Sequence, residues 1–153
     1  MRRPLIILLI GSVCFASGAG LCRSDHNPTD AWSHDVRAAH KQSVRENRPM
    51  LLVFGAEWCT YCKKLEKTTL ADSRVSKMIK DDFIPVHLDA DEEKELMKIL
   101  KIKSLPSTVI VSPDVQILGH TEGYKSTAEF TKYLADNRGR NSQSPRGTMA
   151  GTR

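Results

Sequence analysis

Past residue 16 the chain has no apolar run of membrane length, which predicts a soluble body. It is poor in cysteine: four in 153 residues, with Cys14 and Cys22 inside or bordering the N-terminal apolar run. The two that remain, Cys59 and Cys62, are too few to staple a small scaffold, which excludes a disulfide-built fold. There is no glycine-rich phosphate loop and no internal repeat. An excess of basic charge is also missing where it would matter. The formal charge of +5 comes from the ends, because residues 21–137 hold 17 Lys and Arg against all 18 Asp and Glu. A nucleic-acid-binding domain therefore loses its electrostatic argument. What is present is ordinary globular usage, 40% hydrophobic and 27% charged, at a length that favours one domain.

The two ends read as additions to that domain. Met1-Arg2-Arg3 is a short cationic start, followed by an apolar stretch over residues 4–16 and the small residues Ser17-Gly18-Ala19-Gly20. This three-part layout predicts a signal peptide over residues 1–20, cleaved near residue 19 or 20, and hence an exported, periplasmic or secreted protein. Lipid attachment at Cys22 is disfavoured, because Ala19-Gly20-Leu21 is not the usual order before a lipidated cysteine. Residues 138–153 carry Arg138, Arg140, Arg146 and Arg153 among Ser, Gly and Asn, with almost nothing apolar. They cannot bury enough surface to offset the entropy of ordering, so a disordered basic tail is expected.

Between the ends the periodicity alternates. A helix is expected from about Pro28 to Arg48, with Trp32, Val36, Ala39 and Ser43 on one face, and a strand buried on both faces at residues 50–54. Helical sequence follows over residues 60–70, then a second helix capped by Asp72, then a strand over residues 83–88 whose Pro85 limits its pairing. A helix with acids in its first turn begins near Asp89 and buries Leu96, Ile99 and Leu100. Strands at residues 108–111 and 115–118 flank the turn Ser112-Pro113-Asp114, and Ser126 with Glu129 forms a capping box for a last helix buried through Phe130, Tyr133 and Leu134. The expected class is α/β: a central mixed sheet flanked by helices, with a helix before the first strand. Strands separated by helices are expected parallel and the final hairpin antiparallel.

The chemistry concentrates in Glu57-Trp58-Cys59-Thr60-Tyr61-Cys62-Lys63, just after the buried strand and at the start of a helix. Open α/β sheets present ligand sites at that place. The free amides and dipole of a helix N-terminus stabilise an anion, here the Cys59 thiolate. Cys62, one turn on, lies alongside and less exposed. Cys59 can then attack a disulfide and Cys62 resolve the mixed disulfide.

Trp58-Cys59-Thr60-Tyr61-Cys62-Lys63 after Leu51-Leu52-Val53-Phe54-Gly55-Ala56-Glu57, with Leu105-Pro106 before a later strand, resembles the thioredoxin superfamily. Residues 63–75 narrow the likeness to the C-terminal thioredoxin-like domain of thiol:disulfide interchange proteins and their small secreted relatives. The resemblance implies a thioredoxin fold over residues 21–137, with Cys59 as nucleophile and Cys62 as resolving thiol in one redox disulfide. It implies that Trp58 shapes the substrate surface, and that Pro106 is a cis-proline facing the cysteines and freeing backbone for an extended substrate. Glu66, four residues past Cys62, matches an acid that tunes proton transfer; its alternative is a solvated residue paired with Lys63 or Lys67. One departure stands out: many thioredoxins carry a buried Asp where this chain has Val53.

Rival chemistries fare worse. Structural zinc needs about four ligands, and His87 and His120 read more simply as satisfied or exposed side chains. Covalent haem attachment requires His where Lys63 stands. The expectation is an extracytoplasmic thiol:disulfide oxidoreductase, more reducing than oxidising, without a cofactor and monomeric. It would act on protein disulfides with electrons from a membrane thiol:disulfide donor. The alternatives are a thioredoxin-fold binding or chaperone module, and a soft-metal protein handling copper.

Overall fold

The structure is a computed structural model, and residues 32–138 of it are described. The expected signal peptide, Cys14, Cys22, Pro28 and the tail beyond Arg138 lie outside those residues.

Helix α1 (Val36–Glu46) starts where Asp35 accepts from the amides of Arg37 and Ala38, and ends at Asn47 in the left-handed region (φ 51°). Trp32, expected on the face of this helix, lies before it, because Asp35 supplies the cap; Ser33 bridges to Val86. Strand β1 (Met50–Gly55) follows, and α2 (Thr60–Lys64) runs straight into a π-helical segment, Leu65–Leu70. Helix α3 (Ser73–Asp82) is capped by Asp72, as the sequence predicted. Strand β2 (Ile84–Asp89), helix α4 (Lys94–Ile99), strands β3 (Ser107–Val111) and β4 (Ile117–Glu122) and helix α5 (Thr127–Arg138) complete the order. The capping box forms: Glu129 accepts from the amide of Ser126 (2.9 Å) and from its hydroxyl (2.6 Å).

The sheet runs β2-β1-β3-β4. β1 is parallel to β2 and antiparallel to β3, and β3 is antiparallel to β4. This corrects the expectation that β3 would be a third parallel strand. α4 spans six residues, about 9 Å at helical rise. A six-residue strand is about 20 Å long, so α4 does not carry the chain back to the opposite edge of the sheet. The chain re-enters the sheet at the end where β2 finished, with Ser107 opposite Phe54. Pro85 costs β1 nothing: on this edge strand its carbonyl accepts from Ser33 on the outer side, the side to which its missing N–H would also point.

β1 is buried on both faces, and its side chains divide the core. Met50, Leu52 and Phe54 pack with Ala39, Val86, Leu88, Ile102 and Val109 on the α1 and α4 side. Leu51 and Val53 pack with Leu65, Val75, Ile79, Phe83, Phe130 and Leu134 beneath α3 and α5. Two expectations fail in detail. Leu96 and Leu100 pack on the core as expected, but Met97 joins them while Ile99 is 74% exposed. Only a six-residue helix forms, so its face is set by the register at which Glu93 begins it. Val115 lies in the hairpin turn at φ 63°, because Ser112 holds the amides of Val115 and Gln116, and β4 therefore starts at Ile117.

Candidate active site

The site is built at the end of β1. Gly55 closes the strand, and its carbonyl accepts from Ala90 (2.8 Å), tying the loop to the end of β2. The loop Ala56-Glu57-Trp58 turns back so that the Cys59 amide donates to the Ala56 carbonyl (3.0 Å). Cys59 then caps α2, with its Sγ accepting from the Cys62 amide at 3.1 Å. The sequence expectation that Cys59 occupies a helix N-terminus is met by that geometry. The same N–H would stabilise a Cys59 thiolate once the pair is reduced.

Cys59 and Cys62 form a disulfide, with S–S 2.07 Å and Cα–Cα 5.3 Å. Both are buried, at 6% and 2% exposure, Cys59 being the more accessible. The surface around them is aromatic and open: Trp58 is 69% and Tyr61 62% exposed. The Trp58 indole N–H donates to Asp91 Oδ2 at 2.8 Å, which fixes the ring from across the loop. Asp91 belongs to a charge run that reads as a solvated helix face in the sequence; it lies in the turn before α4 instead.

Leu105–Pro106 is a cis peptide, and Pro106 is buried. The antiparallel entry of β3 explains its position. Ser107 pairs with Phe54, so Pro106 stands at the end of β1 from which the cysteine loop departs. Glu122 accepts from the Lys103 amide (3.0 Å) and the Ser104 hydroxyl (2.7 Å), holding the segment that leads to Pro106. These bonds, the Ser104 one foremost, lower the Glu122 pKa.

Glu66 sits in the π-helical segment, and its partner is neither Lys63 nor Lys67. Its Oε1 lies 3.0 Å from Nε2 of His87 on β2. No pattern in the sequence paired these two, which are 21 residues apart. His87 is further held by the stretch before α1: the His34 Nδ1–H donates to the His87 carbonyl at 2.9 Å, and the Trp32 and His34 rings meet its ring edge-on. An open cleft of about 390 Å³ adjoins this pair, lined in part by Gly55, Lys63, Glu66 and His87. Val53 is buried and apolar, so β1 supplies no carboxylate beneath the cysteines. His120 hydrogen-bonds Ser107 Oγ (3.1 Å) on the far edge strand, so His87 and His120 share no site. Among the described residues no group of three or more His, Cys, Asp and Glu is placed to hold a metal ion.

A family model for a thioredoxin-like domain matches residues 36–138. The thiol:disulfide interchange protein DsbD of Salmonella typhi is 28% identical over 96 residues, 60% of this chain and 17% of that protein. The chain thus spans about a sixth of the length of such curated relatives. Among solved structures, a disulphide isomerase from Xylella fastidiosa is 29% identical, covering 76% of this chain and 96% of that one, with a TM-score of 0.59. The oxidised C-terminal domain of DsbD from Neisseria meningitidis, at 22% identity and a TM-score of 0.60, covers 70% and 99% and shares the fold. With a close cysteine pair at the start of α2, a cis-proline at the same end of the sheet and this match across the described body, the chain belongs to the thioredoxin-like family and is homologous to thiol:disulfide oxidoreductases.

Proposed function

We propose that the chain is an extracytoplasmic thiol:disulfide oxidoreductase that reduces protein disulfides, with Cys59 as nucleophile and Cys62 as resolving thiol. The observation that carries this is the Cys59–Cys62 disulfide at a helix start, with Cys59 as the cap and the more exposed of the two residues. Reduced Cys59 attacks a substrate disulfide, one substrate sulfur leaves as thiolate, and Cys62 then displaces the other to restore the pair. Trp58 and Tyr61 form the rim over which a substrate docks, and backbone next to Pro106 pairs with its extended segment. Glu66 tunes proton transfer to and from the buried Cys62.

The reducing direction rests on the similarity to thiol:disulfide interchange proteins. Export rests on the N-terminal sequence and on the same relatives. Electrons then come from a membrane thiol:disulfide donor, since an exported reductant must be recharged from outside its compartment.

The test is the redox equilibrium of the pair against glutathione, read by thiol alkylation. A midpoint near −270 mV supports a reductant, and one near −120 mV makes the protein a disulfide donor. Cys62→Ser should trap mixed disulfides and Cys59→Ser should abolish turnover. A pair that never cycles, with both variants behaving alike, would leave a binding module as the surviving reading.

A further inference from the structure

His87 is a titratable side chain near the resolving cysteine that the roles above leave unused. A Cβ built on Gly55 would lie 3.5 Å from His87 Nε2, 3.6 Å from Cys62 Cβ and 3.8 Å from Cys62 Sγ. The imidazole and the sulfur therefore both border the space left by a glycine, where a single methyl group would touch each of them. On its other side Nε2 lies 3.0 Å from Glu66 Oε1. A carboxylate only accepts, so the neutral ring donates Nε2–H to Glu66 and keeps Nδ1 as its basic nitrogen. The ring is partly exposed, its side chain 31% accessible, and it opens on the cleft beside Gly55.

We infer that His87 is a positioning residue for the resolving step: its protonated ring sets a positive charge beside Cys62 that favours the Cys62 thiolate, while Glu66 balances that charge. The inference rests on the oxidoreductase reading. In the mixed disulfide, Cys59 is bonded to a substrate sulfur and Cys62 is a thiol. Cys62 loses its proton to solvent; its sulfur bonds to Cys59 Sγ, and the Cys59–substrate bond breaks. The substrate sulfur departs as thiolate with the bonding pair and can take a proton from solvent. Two electrons pass from the cysteine pair to the substrate, and no other reactant is needed.

The surroundings of His87 are acidic. Glu66 faces it from the π-helical segment and His34 from the stretch before α1. Among the described residues Lys63 of α2 is the one Lys or Arg lining the cleft beside it, against Glu57 from the loop and Asp89 at the end of β2. Glu92 and Glu93, before α4, complete that wall. A neutral ring leaves the pair with the net negative charge of Glu66, which opposes a thiolate at Cys62. A protonated ring cancels it. The benefit is therefore greatest at low pH and disappears once the ring stays neutral throughout the step.

The experiment follows the reduced protein against an excess of a small aromatic disulfide whose released thiolate is coloured. The first equivalent released reports attack by Cys59, the second reports resolution by Cys62. In His87→Gln the amide can still donate to Glu66 but cannot take a proton. The ratio of the second rate to the first should fall about tenfold near pH 6, the equivalent of one pKa unit at Cys62, and match the wild type near pH 9. If that variant does not fold, Glu66→Gln serves: loss of the carboxylate should move the pH step of the second phase to lower pH. A ratio that is unchanged at every pH, or lowered equally at every pH, overturns the inference. Absence of the first phase in the wild type would instead overturn the oxidoreductase reading itself.

Discussion

Two apolar residues that the sequence treats alike, Phe130 and Ile99, give a sharp test of the packing that supports the site. Phe130 of α5 is fully buried and packs with Leu51 and Val53 of β1 and with Leu65, which begins the segment carrying Glu66. Phe130→Ala removes a buried ring from the centre of that layer and leaves a cavity that rigid strands cannot fill, at a cost of about 3–5 kcal/mol. Ile99 projects from α4 at 74% exposure, so Ile99→Ala removes little that is out of water and should stay within about 0.5 kcal/mol. With a urea slope of about 1–3 kcal/mol/M for a domain of this size, Phe130→Ala lowers the unfolding midpoint by about 2 M and Ile99→Ala by a few tenths at most.

Both variants should be compared oxidised, so that the Cys59–Cys62 disulfide constrains each unfolded chain alike. Urea titration followed by tryptophan fluorescence reads the two midpoints side by side. A loss at Ile99 as large as 2 kcal/mol would mean that α4 presents the face expected from its sequence, with Ile99 inward. A loss at Phe130 below 1 kcal/mol would refute the packing of α5 on β1.

Two further outcomes follow from ionisation. The Tyr133 hydroxyl donates to the Thr108 carbonyl at 3.1 Å, and burial pushes its pKa well above the usual tyrosine range. The folded state favours the protonated phenol, so this stabilisation is present below about pH 10 and is lost as the pH rises further. Tyr133→Phe should lose about 1 kcal/mol at neutral pH and narrow its deficit above pH 10, measured by urea unfolding. Glu122 has the opposite sign: its lowered pKa makes the carboxylate stabilising above the ordinary carboxyl value of about 4.3 and progressively less so as pH falls below it. Glu122→Gln should thus lower the thermal midpoint at pH 7 but match the wild type in strong acid. An equal deficit at both pH values would show that the carboxylate charge does not hold the segment before Pro106.

Much of this was legible in the sequence because it is local. The continuous apolar run of β1, the Asp72 cap and the Ser126–Glu129 box each depend on neighbours a few residues apart, and each stands as expected. The cysteines were legible for the same reason, since a strand, a short loop and a helix start fix their place. What failed depends on distant chain. The direction of β3 is set by where a six-residue helix leaves the chain, and no strand pattern encodes direction. Ile99 and Val115 were misplaced because short elements allow more than one register, which a cap or a serine side chain then selects. The alternative to a role beside the cysteines pairs Glu66 with Lys63 or Lys67, its near neighbours along the chain. Its actual partner, His87, comes from an edge strand, and only the parallel pairing of Val53 with His87 brings that strand alongside β1.

That last pairing separates the two tasks of the site. In the proposed function substrate reaches the cysteines over Trp58 and Tyr61, whose rings are exposed while both cysteines are buried. In the inference drawn above, the ionisation of Cys62 is set from the other side, by His87 beside Gly55 and the cleft that also borders Glu66. Asp91 touches the first group through its side chain on the Trp58 indole; its link to the cleft, a 2.8 Å bond to Asp89, uses its backbone amide, which Asp91→Ala keeps. Changes on the rim should therefore alter which disulfides are engaged while leaving the pH profile of resolution in place. Changes at the Gly55 gap should move that profile without altering substrate preference. Asp91→Ala and His87→Gln, assayed on one protein substrate across pH, place one perturbation on each side. If Asp91→Ala shifts the profile as His87→Gln does, the two faces are coupled through the disulfide and the separation fails.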